Sequence, residues 1–190
     1  MTRKLVAIVE SMGATMFLLL ILCLFLVGLL IAACCDVSTM LIPNWISLSY
    51  VASFPIVALI LGFSPVEIGW HFLSGAIALV ICFALFAVGV FGGGDAKLIP
   101  AVMVWLGPGA VLPYVWGIAL TGGVLAVLIM LTRRMVPARN VPGFLQRSVV
   151  EGPGIPYAVA IALGALWALP ASPVFADLIK STSFSALTMP

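Results

Sequence analysis

The sequence predicts an all-α fold: a polytopic membrane bundle of about six transmembrane helices in a single domain, residues 1–190. Hydrophobic residues make up 64% of the chain and charged residues only 7%. In a soluble domain, about 45 to 50% of the residues are apolar and about 25% are charged. The apolar residues also form runs, and a helix needs roughly 20 of them to cross about 30 Å of hydrocarbon. The expected surroundings are therefore a lipid bilayer. The net charge of +2 gives no indication of nucleic acid as a partner.

Three apolar runs occupy the first half of the chain. They cover residues 15–33, about 46–63 and about 70–91. The basic start of the chain resembles a signal peptide, but its apolar core is too long and no A-x-A cleavage site follows. We therefore expect the first run to be a span that is retained.

The run from residue 98 to about residue 131 is far too long for one crossing. Pro108, Gly109 and Pro113 interrupt it, which predicts two spans joined by a tight turn, the first of them short. A polar loop at 132–154 follows, and residues 155–170 form the last predicted span.

Two aspartates and the polar loop are expected on one side of the membrane. Two spans separate Asp36 from Asp95, and two more separate Asp95 from the loop. Basic residues are concentrated on this side: Arg133, Arg134, Arg139, Arg147 and Lys97. The opposite side has Arg3, Lys4 and Lys180. The positive-inside rule then places both aspartates at the cytoplasmic face and the N-terminus outside, although Arg3 and Lys4 oppose this orientation.

Asp36 and Asp95 are two of only six acidic residues, and both are expected at helix ends near the membrane surface. Helix-breaking segments follow them, IPN after Asp36 and IP after Asp95. Three glycines directly precede Asp95: Gly92, Gly93 and Gly94. They allow either a close approach of the backbone or a positive φ. The alternative is that the two carboxylates are unrelated residues at the interface.

Two carboxylates a few ångströms apart cannot easily both ionise, so they share a proton. One then acts as a base on water, while the protonated partner polarises a peptide carbonyl. This chemistry predicts aspartic proteolysis with Asp36 and Asp95 as the catalytic pair, which titrates as a unit. The three glycines would supply backbone to the active site.

Three nearby residues are candidates for supporting the site or contacting the substrate. Lys97 could pair with an acidic substrate residue, lower the pKa of Asp95, or extend to the interface as an anchor. Asn44 could cap the second span or brace Asp36, and Pro43 suits the first turn of that span.

No metal or cofactor is expected. The four cysteines lie in or beside apolar runs, and no C-x-x-C pair occurs. Zinc-ligand spacing is therefore absent. The single histidine, His71, is expected to be a packing or helix-end residue.

Three segments resemble known membrane peptidases. GGGD at 92–95 fits the G-x-G-D signature of membrane aspartyl peptidases, and DVSTMLIPN at 36–44 resembles the Asp segment of the bacterial type IV prepilin peptidases. GPGIPYAVAIALG at 152–164 is similar to the closing helix of that family. The resemblance implies an enzyme of the bacterial cytoplasmic (inner) membrane. Such an enzyme removes the Lys/Arg-rich leader of a prepilin at the cytoplasmic side, just before the apolar pilin helix, alongside other pilus or secretion assembly proteins.

The chain departs from the larger prepilin peptidases at its N-terminal end. Those enzymes carry a cysteine-rich loop associated with zinc and with N-methylation, whereas only 35 residues precede Asp36 here and Cys34 and Cys35 are adjacent. The chain therefore resembles the short form that serves Tad or Flp-type pili, without a methyltransferase region. VSTM follows Asp36 where many relatives have basic residues, which questions an electrostatic substrate contact there.

Other classes remain open. Presenilin-like G-x-G-D proteases commonly have a Tyr-Asp pair and a Pro-Ala-Leu motif, neither of which is found. A proton-coupled transporter would normally show inverted repeats and charges at the membrane midplane, and neither is evident in this sequence. A non-catalytic membrane component of a pilus or secretion assembly is the third alternative.

Overall fold

The computed structural model describes residues 2–137, 141–146, 150 and 154–176, and these residues contain no strand. The principal helices are α1 Thr2–Thr39, α2 Asn44–Ile60, α3 Pro65–Ala87, α4 Asp95–Leu106, α5 Val111–Met135 and α6 Ala158–Ala168. Short 3-10 turns occupy Pro108–Ala110, Gly143–Leu145 and Leu169–Ala171. The predicted all-α fold is confirmed.

Three stretches are long and apolar enough to cross a membrane: Gly13–Thr39, Pro65–Ala87 and Pro108–Met135. The helices Asn44–Ile60 and Ala158–Ala171 are shorter but apolar. Many large apolar side chains point outward, where a soluble protein would present polar ones. These features confirm a helical membrane bundle.

Two helix ends differ from the sequence prediction. α1 continues to Thr39, six residues beyond the predicted end of the first span, so Asp36 lies within its last turn. The hydroxyls of Ser38 and Thr39 donate to the carbonyls of Cys34 and Cys35, both at 2.7 Å, within the last turns of this helix. α3 ends at Ala87 instead of near residue 91.

α4 forms the centre of the bundle. It has 12 residues, and therefore a length of about 18 Å, less than the roughly 30 Å of a membrane core. The turn expected at Pro108 follows it, which confirms the short first half of the 98–131 run. Ten of its residues are buried, and it packs against α2, α3 and α6. Trp105 Nε1 donates to the Tyr50 carbonyl at 2.8 Å and joins α4 to α2.

His71 is a packing residue, as expected. It is buried, its ring stacks on Phe54 with centroids 4.7 Å apart, and its Nδ1 lies 2.8 Å from the Val104 carbonyl oxygen. These contacts fix the start of α3 against the end of α4.

Small residues bring α5 and α6 together. A Cβ at Gly117 would lie 2.8 Å from the Gly164 Cα, so the two backbones are in direct contact there. Thr121 Oγ1 donates to the carbonyls of Gly117 at 2.6 Å and Ala160 at 3.1 Å. Packing through small residues and hydroxyls is typical of helices in membranes. It fixes the position of the N-terminal end of α6.

Candidate active site

A cavity of about 1340 Å³ opens at one end of the bundle. We call it the aspartate cavity. Its walls come from the end of α1, the segment 40–44, the loop before α4, and residues 154–157 before α6. All eight residues proposed from the sequence line it: Asp36, Pro43, Asn44, Gly92, Gly93, Gly94, Asp95 and Lys97. The structure thus brings together residues that are up to 61 positions apart in the chain (97 − 36).

Asp36 is held by two helices. Its side chain is buried at the end of α1, and its Oδ2 accepts a hydrogen bond from the Ala158 backbone N–H at 2.8 Å. Ala158 is the first residue of α6, where free N–H groups and the helix dipole favour a negative charge. Met40, at φ 57°, turns the chain out of α1 directly afterwards. This left-handed conformation is uncommon for a residue other than glycine.

Asp95 is the first residue of α4 and faces the same cavity. The backbone N–H of Gly92 hydrogen-bonds its carboxylate. Its Oδ1 is buried, and no described residue hydrogen-bonds to it. A buried oxygen without a partner costs about 1 to 3 kcal/mol, a penalty that a proton or a bound water relieves.

The two carboxylates interact electrostatically. Asp95 lies outside the three long apolar stretches. Burial, and secondly the charge of Asp36, raise the pKa of Asp95 to about 7, against the opposing effect of the Gly92 N–H. A carboxyl with this pKa holds a proton through much of the neutral range. The arrangement can therefore supply both a proton donor and a base at one site.

The glycine triplet lets the backbone before α4 lie close to neighbouring side chains. None of the three has a positive φ, a conformation that occurs at Gly62, Gly89 and Gly107. A Cβ at Gly92 would lie 3.0 Å from Asp95 Oδ2, and one at Gly94 would lie 3.0 Å from the Ile42 side chain. At Gly93 the nearest atom would be 3.4 Å away, on Phe86. The first and third glycines are thus confined by their neighbours, whereas the second has room.

Lys97 and Asn44 form a bridge at the edge of the cavity. Lys97 Nζ donates to Asn44 Oδ1 at 3.0 Å, which joins α4 to the start of α2. Asn44 is the first helical residue of α2, and Pro43 precedes the helix by one residue instead of lying in its first turn. The effects that shift the pKa of Asp95 come from burial, Asp36 and Gly92.

The polar loop begins at the same end of the bundle as the aspartates. Arg133 Nη2 donates to the Gly154 carbonyl at 2.8 Å, and Gly154 lines the aspartate cavity. This placement agrees with the parity of the predicted spans. Arg139 and Arg147 lie outside the described residues.

Sequence reasoning missed two aromatic residues of the site, Phe91 and Tyr157. Both line the cavity, and their rings pack with centroids 5.9 Å apart. Burial, and secondly the charge of Asp95, raise the pKa of Tyr157. Phe91 ends the third predicted run and Tyr157 lies inside the last one, and no sequence signal distinguishes either from its apolar neighbours.

Fold and site together define a helical membrane protein with two carboxylates that line one cavity at an end of the bundle. Residues 23–131 match the Type IV leader peptidase family. The match covers more than half of the chain and includes both aspartates and the glycine triplet, and the chain belongs to this family. Membership indicates a leader peptidase-like function, with prepilins as the implied substrates. No curated protein and no solved structure matches the chain.

Proposed function

We propose that the protein is an aspartic endopeptidase that removes the Lys/Arg-rich leader from Flp-like type IV prepilins. We further propose that residues 1–190 act as a single peptidase domain. The observation that carries the proposal is that Asp36 and Asp95 line the same cavity. They extend from different helices into one cavity, and the charge of Asp36 helps to raise the pKa of Asp95 to about 7.

The pair activates water by sharing one proton. In the substrate-free enzyme, Asp95 holds that proton in roughly half of the molecules at pH 7 and in more of them at lower pH, because burial and the charge of Asp36 raise its pKa to about 7. Asp36 removes a proton from water, whose oxygen attacks the carbonyl carbon of the scissile bond. Asp95 gives its proton to the carbonyl oxygen, which yields a tetrahedral diol. Collapse of the diol breaks the C–N bond: the proton taken up by Asp36 passes to the leaving amine, and a diol hydroxyl returns its proton to Asp95 as the carbonyl re-forms.

The substrate's polarity fits the site's position. A prepilin presents a polar basic leader in water and an apolar helix in the bilayer, so its cleavage site requires a polar cavity at one end of a membrane bundle. The aspartate cavity has this position. The excess of arginines in the polar loop supports an orientation with this end in the cytoplasm.

Co-expression with a prepilin that carries a Lys/Arg-rich leader tests the proposal, with cleavage read from the gel shift. We expect Asp36→Asn and Asp95→Asn each to abolish cleavage at normal protein abundance, because an amide keeps the shape but cannot exchange the proton. The double variant should be no worse than either single one, since residues that act as a unit are not additive.

Glu67→Gln provides the matched control. Glu67 is exposed at the start of α3, where it forms a capping box with Ser64, and it lies outside the aspartate cavity. It should leave cleavage intact. An abundant Asp95→Asn protein that still processes prepilin at the normal rate would contradict the proposal. It would favour a non-catalytic assembly component or a proton-coupled transporter.

A further inference from the structure

A second, apolar recess adjoins the aspartate cavity. It has a volume of about 460 Å³ and lies between α3 and α5. The two helices stand apart there, and Ile99 and Met103 of α4 lie between them as its floor. Ile77 and Val115 lie on opposite walls, each 54% exposed. In a bilayer this recess, the α3–α5 groove, opens sideways to the lipid.

The α3–α5 groove leads directly to the catalytic pair. Phe91 and Tyr157 line both the groove and the aspartate cavity, so their aromatic pair forms the boundary between an apolar and a polar compartment. The charge of Asp95 acts on Tyr157, one of these two residues. A chain lying in the groove would therefore reach Asp95 as it passes the aromatic pair.

A competing groove lies between α2 and α3. It has a similar volume, about 480 Å³, and meets the aspartate cavity at Asn44 and Lys97. The hydrogen bond between these two side chains spans the junction. Both side chains are polar and exposed, so an apolar segment passing there would have to displace their hydration, whereas at the α3–α5 junction it meets the rings of Phe91 and Tyr157. Polarity therefore favours the α3–α5 groove for an apolar occupant.

We infer that the α3–α5 groove binds the apolar helix of the prepilin, and that Phe91 and Tyr157 set which peptide bond reaches the aspartates. This inference rests on the proposed function. Its chemical basis is the match between an apolar helix that adjoins a polar cleavage site and an apolar groove that adjoins a polar cavity. The aromatic pair marks the point where the substrate leaves one environment for the other.

Tyr157 is a positioning residue in this arrangement, and Gly122 makes room for it. A Cβ at Gly122 would collide with the Tyr157 hydroxyl and ring, whereas one at Gly123 would meet nothing within 4 Å. The two glycines are adjacent in α5, so they form a matched pair of sites for substitution. Gly122→Ala shifts the ring, and Gly123→Ala adds the same methyl group harmlessly.

Photocrosslinking tests the groove. Benzoylphenylalanine is placed singly at Ile77, at Val115, or at Leu48 of the competing groove, in the Asp95→Asn background with intact prepilin bound. We expect crosslinks to the prepilin's apolar helix from Ile77 and Val115, and at most a minor product from Leu48. Crosslinking mainly from Leu48, with normal cleavage by the wild type, would overturn the groove assignment and leave the peptidase assignment intact. If the wild type cleaves no prepilin, both proposals fail.

The cleavage position tests the aromatic pair. Gly122→Ala and Tyr157→Ala should lower kcat/KM by at least about 10-fold, because small displacements at an active site are costly. Mass spectrometry of the products should also show cleavage at additional neighbouring bonds. Gly123→Ala should match the wild type in both respects. Unchanged rate and a single unchanged product from well-folded Gly122→Ala and Tyr157→Ala proteins would refute the role of the pair.

Discussion

Raising the pH above neutrality should inactivate the enzyme, because the mechanism proposed for Asp36 and Asp95 needs a proton on Asp95. Burial and the charge of Asp36 raise the pKa of that carboxyl to about 7, from an ordinary value of 3.8. The sign follows directly: an acid with a raised pKa keeps its proton below that value and loses it above. At about pH 8 a group with a pKa of about 7 retains roughly a tenth of its proton. We therefore expect kcat/KM to fall about 10-fold per pH unit above about pH 7.

The assay is cleavage of a prepilin by the purified enzyme in liposomes, with initial rates at low substrate concentration across this range. Infrared spectroscopy provides an independent measurement, because the band of a protonated carboxyl disappears when Asp95 ionises. Asp95→Asn serves as the blank. In Asp36→Asn the band should titrate at lower pH than in the wild type, since a neighbouring negative charge is gone. The pKa of Asp95 in this variant should still lie above its ordinary value, because burial is the larger cause of the shift.

A flat activity profile from about pH 6 to about pH 8 would refute this reasoning if infrared spectra show Asp95 already ionised at the lower pH. Such a result would mean that water reaches the carboxylate more freely than its burial implies. A fall in activity that tracks the infrared titration would support it.

Three further predictions concern the glycines, metals and topology. Gly92→Ala should push the Asp95 carboxylate aside and lower kcat about 10-fold or more, whereas Gly93→Ala should be tolerated; equal losses would contradict this. Strong zinc chelators should leave cleavage unchanged, and no methyl group should pass from S-adenosylmethionine; activity lost on chelation and restored by zinc would contradict the metal-free pair. In a cysteine-free background, Ser38→Cys should be labelled only from the cytoplasm and Ser64→Cys only from outside, and labelling of both from one side would be incompatible with the span count.

Composition and helix breakers carried much of the information about the fold. The membrane environment follows from the apolar fraction of the chain, and the turn at Pro108 lies where the interrupted run placed it. The sequence also predicted that Asp36 and Asp95 could meet, because an even number of spans between them returns the chain to the same side of the membrane, and both line one cavity.

Packing between helices that are distant in the chain could not be predicted from the sequence. The run at 98–106 is apolar all round, and hydropathy cannot tell a helix surrounded by lipid from one enclosed by other helices, as α4 is. The contact between Asp36 and Ala158 joins residues 122 positions apart through backbone geometry that leaves no mark in either side chain. Tyr157 was missed for a similar reason, since its place depends on Gly122 in another helix. The end of α1 was misplaced because the predicted span stopped with the apolar run at residue 33, whereas the helix continues through polar residues to Thr39.

The shortness of α4 has a consequence for how the protein is made. A 12-residue helix that begins with Asp95 and carries Lys97 cannot stay in a bilayer on its own, because it is too short to cross and exposes charge to lipid. During biosynthesis it must enter the membrane together with α3 or α5 and settle among α2, α3 and α6 afterwards. α6 also supplies the Ala158 N–H that holds Asp36, and it is the last of the principal helices to leave the ribosome. Asp36 therefore gains this hydrogen bond only after α6 has been made, so a chain stalled before α6 lacks one of the contacts that hold the proposed catalytic pair.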